Sequence, residues 1–211
     1  MLAILRDGEK GWDATSPEKV YAGCKMVYIS CHGPDGPNGG RENTPALGDT
    51  TEAFMRHRSP LMQADLSVLP RGATILAAKF VVTRADTPKP EGERTPFKPN
   101  LWVCEPCHRD WDPKSANCCS YAPGKLWKSV NGLYYGEDPD YFPVYLACGP
   151  AGTGAASVWD FTEALRFWTD GTHENHGFFF YGDSTDYMRI FTPKAKEVKR
   201  RPTILVVFEP R

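Results

Sequence analysis

The chain has no long apolar run. No stretch approaches the ~20 residues that a membrane-spanning helix requires, so no membrane span is expected. It also has no excess of charge of either sign: 25 Lys and Arg against 26 Asp and Glu give a net charge of −1. That balance removes the electrostatic footprint by which nucleic acid is bound, so no nucleic-acid partner is expected. Catalytic signatures are missing too. There is no Gly-x-Ser-x-Gly elbow, no glycine-rich phosphate loop, no His-Glu-x-x-His and no dinucleotide fingerprint. A non-enzymatic protein is the expectation. Polysaccharide lyase or hydrolase activity stays open, because the separation of two carboxylates belongs to the fold and not to sequence spacing.

Turn residues, in contrast, are plentiful. Nineteen Gly and nineteen Pro in 211 residues place many turns between short strands, the composition of a sandwich or barrel. Strand character is clear in Val20–Ser30, in Met62–Leu66, in Thr74–Arg84 with Leu76, Ala78, Phe80 and Val82 inward, and in the aromatic run Gly177–Tyr181. The closing segment Thr203–Phe208 is apolar on both faces, as a central strand is. One helix is predicted after Asp160, where Phe161, Ala164, Leu165 and Trp168 fall on one face and Gly171 marks the stop. The fold class is therefore all-β, a jelly-roll-like β-sandwich with one short helix and long loop insertions. Residues 1–17 read as an N-terminal arm and 18–211 as a single domain, with a cysteine-rich insertion around 101–148.

Seven cysteines, two of them adjacent at Cys118 and Cys119, favour an oxidising compartment, so an extracellular or periplasmic location is expected. Met1–Leu5 is too short for a signal peptide, since Arg6 and Asp7 follow at once; any export leader lies outside this sequence. The sharpest local pattern is Cys104-Glu-Pro-Cys107-His108. Cys-x-x-Cys-His is the attachment signature of haem c, in which both thiols bond the porphyrin and the histidine reaches iron. On that reading His57, His173, His176 or Met188 supplies the distal ligand, Trp102, Trp111, Tyr121 and Trp127 supply walls, and the partner is a redox protein. The alternatives are disulfides from Cys104 and Cys107 to Cys118, Cys119 or Cys148, free thiols, or a zinc site built from the same block with His108.

Three segments together resemble the DNRLRE-type domain, also called the disaggregatase-related β-sandwich family. They are ADLSVLPRGATILAAK at 64–79, VWDFTEALRFW at 158–168 with His176-Gly-Phe178, and RPTILVVF at 201–208, together with Trp111. The resemblance implies an exported jelly roll, attached to surface proteins or to polysaccharide-acting enzymes, some members of which bind polysaccharide. The expected function is thus a non-catalytic module that binds polysaccharide or cell-surface components, or that self-associates in an extracellular assembly. Trp127, Tyr134, Tyr135 and Tyr141 are the candidate sugar-stacking rings. Jelly rolls often seat calcium in a loop, and Asp35, Asn38, Glu42 and Asn43 supply oxygen ligands in the turn-rich segment 31–44. The cluster Asp170, His173, Glu174, Asn175 and His176 reads as a polar turn after the helix.

Overall fold

The computed structural model describes residues 1–11, 18–30, 48–53, 58–85, 101–107, 109–116, 120–127, 147–150, 155–182 and 188–210. The first sheet contains β1 (Leu2–Leu5), β5 (Thr74–Thr83), β10 (Ala156–Asp160) and β13 (Thr203–Glu209), in the order β1-β13-β5-β10. The second contains β2 (Cys24–Ser30), β4 (Arg58–Ala64), β6 (Leu101–Pro106), β9 (Ala147–Pro150) and β11 (Phe178–Gly182), in the order β2-β4-β11-β6-β9. Two ribbons accompany them, β3 (Thr50–Ala53) with β12 (Met188–Phe191), and β7 (Ser120–Ala122) with β8 (Lys125–Leu126). Every pairing is antiparallel. From β4 onward the chain passes to the first sheet at β5, returns for β6 and β9, crosses for β10, returns for β11 and closes in β13. That alternation is the double Greek key of a jelly roll.

Where it is described, at residues 1–11, the N-terminal segment expected as an arm is docked on the sandwich. Residues 2–5 form an edge strand on β13, with Ala3 and Leu5 buried in the core and the Met1 amino group donating to the Phe208 carbonyl at 2.5 Å. Four residues are too few for a period-2 pattern to stand out. Reciprocal backbone bonds, Gly8 N–H to Tyr21 O and Tyr21 N–H to Glu9 O, then fasten the following turn to the approach of β2.

Phe80 is the hub between the sheets. Its ring lies 5.0 Å from Phe178 and 5.7 Å from Phe180, both edge-on across the sandwich, and 5.9 Å from Trp159 on its own sheet. These rings pack with Ile75, Val82, Ile204, Val206 and Phe208 from the first sheet and Met62 and Cys104 from the second. Truncating a fully buried phenylalanine of this kind costs about 3–5 kcal/mol, so the hub alone accounts for much of a domain's net stability.

β11 is buried along its whole length, as its aromatic run predicts. Phe178 and Phe180 face the first sheet, whereas Phe179 and Tyr181 face outward into a second cluster. The segment after β6 supplies the cover: Cys107, Trp111, Ala116 and Trp127 pack with Tyr121 on Val27, Ile29, Leu61, Phe179 and Tyr181. The Trp111 indole N–H donates to His176 O at 2.9 Å, which satisfies its one polar atom. The outer face of the first sheet is different, with Leu76, Val158 and Val207 exposed.

A β-bulge changes which side chains of β5 point inward. Val207 pairs with Ala77 but Phe208 pairs with Ile75, so Leu76 is the extra residue. Ile75 is therefore buried and Leu76 is 45% exposed, the reverse of simple alternation. β10 covers β5 only from Thr83 to Lys79, and α1 (Thr162–Asp170) takes over the rest of that edge. Phe161 N–H donates to Ala78 O, Thr162 Oγ1 accepts from Ala78 N–H at 2.9 Å, and Arg166 Nε donates to Ile75 O at 3.0 Å. The helix thus satisfies edge groups that would otherwise be open to another chain. Its inward residues Phe161, Ala164 and Leu165 are those the sequence period selects, and Gly171 closes it. Asp160 stands one place before the cap and accepts the Thr162 N–H at 3.0 Å.

Candidate functional site

The cysteine block does not bring its two thiols together. Cys104 pairs with Phe180 and faces the inter-sheet core, whereas Cys107 bonds Gly177 O through its N–H and faces the outer cluster. Residues three apart on an extended strand point to opposite sides. A haem attached through both thioethers needs both sulfurs beside one ring, and this backbone holds them on opposite faces of a sheet, so the pair does not fit that group. The expected walls also close on each other: Tyr121 lies 5.5 Å from Trp127, and Trp127 lies 5.8 Å from Phe179. His108, Cys118, Cys119 and His57 lie outside the described residues.

The other candidate ligands are scattered by the fold. Met188 is fully buried in the inter-sheet core. The His173 ring lies edge-on to Phe167 at 5.5 Å, and His176 Nε2 is 3.1 Å from the exposed Glu174 carboxylate. Asp170 to His176 forms the expected polar turn. Asp170 Oδ1 accepts the Thr172 N–H, and that bond, with the Thr172 hydroxyl first among the causes, holds the Asp170 carboxyl below its usual range. Trp127 is only 8% exposed and is part of the outer cluster, so it offers no free ring to a sugar. Tyr134, Tyr135 and Tyr141, and the candidate calcium ligands Asp35, Asn38, Glu42 and Asn43, lie outside the described residues.

The fold instead opens a cleft at one end of the sandwich, beside the C-terminal half of α1. It has a volume of about 850 Å³, within the range of small-ligand clefts. Gly23 to Lys25 and Gln63 to Ala64 form its strand side, the turn from Asp65 to Gly72 a second side, and Trp168 with Asn175 a third. Trp168 is half-buried, edge-on to Phe161 at 5.8 Å, which fixes its ring while leaving part of it at the cleft.

Close backbone approach ties the wall together. Asn175 Nδ2 donates to Ala64 O at 2.8 Å while its Oδ1 accepts the Gly177 N–H. Gly177 has φ +82°, and a Cβ there would come within 2.1 Å of Met62 O, so only glycine lets the turn lie against β4. Gln63 Nε2 donates to Asn175 O at 2.6 Å, which orients the amide and leaves Oε1 buried with no partner among the described residues.

The Cys24 thiol and the Asp65 carboxylate are the acidic groups of the lining. Burial, and then the nearby Asp7 charge, push the Cys24 thiol up. Asp65, the carboxylate in the lining, accepts the Ser67 N–H at 2.9 Å in a tight side-chain turn. No pair of carboxylates faces across the cleft among the described residues. Sequence reading placed Gln63 on a strand, Arg71 between two strands and Trp168 on a helix face without uniting them. The usable signals were Gln63 among the apolar residues Leu61, Met62 and Ala64, and the Pro70-Arg71-Gly72 turn. Searched against protein-family models and against curated proteins, the chain matches none.

Proposed function

We propose that this chain is a non-catalytic β-sandwich module that binds polysaccharide outside the cell or at its surface. The observation that carries the reading is the open cleft of about 850 Å³ at the end of the jelly roll, where one fixed tryptophan stands among amide, hydroxyl and cationic side chains. Sugars present apolar C–H faces and a surrounding ring of hydroxyls, and that combination of an aromatic face with hydrogen-bonding groups is complementary to them. The resemblance of residues 64–79 to DNRLRE-type domains supports the same reading, because that motif runs from the last residue of β4 through the turn into β5 beside the cleft. Seven cysteines support export. Among the described residues no helix is long and apolar enough to cross a membrane.

The test is a glycan array carrying plant, algal and bacterial polysaccharides, probed with the folded protein. Binding to at least one glycan class, with no shortening of the chains bound, is the expected result. Signals at background across every class would overturn the saccharide reading, and release of shorter fragments would overturn the non-catalytic one.

A further inference from the structure

We propose that Arg71 is the anchoring donor of the saccharide site in this cleft, which rests on the reading of the chain as a polysaccharide-binding module. Five other arginines among the described residues are occupied. Arg6, Arg166 and Arg200 each pair with a glutamate at 2.7–2.9 Å, Arg201 donates to the Ala195 and Asp7 carbonyls, and Arg109 lies over the Tyr121 ring. Arg71 is exposed and, among the described residues, meets no carboxylate, carbonyl or ring. The acid in its own cleft, Asp65, is engaged by the Ser67 N–H.

The guanidinium is nevertheless carried by a rigid support. Asp65 to Ala73 folds as consecutive turns, closed by Leu69 N–H to Leu66 O at 3.0 Å and Ala73 N–H to Pro70 O at 3.0 Å. Leu69 anchors the middle of the segment in the core at 6% exposure. Gly72 has φ +77° in the third position of the second turn, the geometry that a turn of this hand requires and that glycine adopts without strain. Arg71 occupies the second position, so its backbone is fixed while its side chain is at liberty to meet a ligand. A support ordered before binding lowers the entropy lost on association. The planar fork of donors matches two oxygens side by side, whether vicinal hydroxyls or a carboxylate or sulfate substituent. Trp168 offers the apolar surface in the same cleft.

The experiment measures binding of the full chain to neutral, uronate-bearing and sulfated polysaccharides by affinity electrophoresis, with thermal melting run alongside. Arg71→Ala is expected to weaken binding on the order of tenfold or more, as the loss of a charge-assisted hydrogen bond does, without lowering the melting temperature. Arg71→Lys, which keeps charge but not the fork, is expected to recover only part of it. Ser67→Trp, at an exposed position in the lining, is expected to block the cleft and abolish binding. Loss confined to the acidic glycans identifies an anionic substituent as the anchored group, and loss on neutral glycans identifies hydroxyls. If the wild type binds and both Arg71→Ala and Ser67→Trp bind within about twofold of it, the assignment of Arg71 and of this cleft is overturned while the saccharide reading stands. If the wild type binds none of the three classes, that reading fails first.

Discussion

At the residue scale, Asp160 joins two elements, and contacts to both lower its pKa. Its Oδ2 accepts from Lys79 Nζ at 2.5 Å across the β5–β10 pair, and its Oδ1 accepts the Thr162 N–H at the start of α1. The Lys79 hydrogen bond first, and the Thr162 backbone second, hold its pKa at about 2. An unfolded aspartate titrates near ~3.9. The folded value is the lower one, so the stabilisation is complete above about pH 4 and is lost as pH falls towards 2. The pair is exposed, which limits its contribution to stability. Lys79→Ala removes the leading cause and is expected to move the Asp160 titration upward, as read from side-chain carboxyl NMR shifts. An unmoved midpoint would show that the Lys79 contact does not set it. The same scale explains why the cysteine pattern misleads: Cys-x-x-Cys names a spacing, but whether two thiols share a side depends on the backbone. On β6 and its extension an odd spacing separates Cys104 from Cys107.

At the element scale, α1 acts as a cover for an interrupted edge. β5 carries a bulge at Leu76, and the freed carbonyls of Ile75 and Leu76 lie 3.0 and 3.5 Å from Arg166 nitrogens. Arg166→Ala leaves those acceptors and the helix tether unmade, and is expected to lower stability by about 1–2 kcal/mol. A shift in the urea midpoint with an unchanged slope would show it; a coincident unfolding curve would mean that water replaces the guanidinium without loss. The helix itself was legible in sequence because four apolar residues repeat with its period. The bulge was not, because Thr74–Thr83 alternates acceptably in either register until the partner strand is known. The aromatic strand β11 was legible for a third reason: a run apolar on both faces must be covered twice. The sequence does not show that Trp111 and Trp127 provide the second cover, since that contact joins segments more than fifty residues apart.

At the scale of the whole molecule, the jelly roll leaves the two sheets unequal. The second sheet is packed on both faces, and its strands β2 and β4 end at the cleft wall; the first sheet keeps an outer face open to solvent. The fold class was readable from turn density and strand pattern, but the candidate site was not. Its members come from β2, β4, a turn, a helix and the turn before β11, and no spacing links them. The aromatic residue most prominent in sequence for sugar stacking, Trp127, is committed to packing. Replacing it therefore tests folding and not binding.

Saccharide binding at this cleft is testable by amide and indole NMR shifts followed through a titration with a fragment of a polysaccharide that the protein binds. The expected result is a contiguous set of perturbed signals at Gln63, Ser67, Arg71, the Trp168 indole and Asn175, with the outer face of the first sheet unchanged. Perturbations centred anywhere else on the molecule, with those five unmoved, would contradict it.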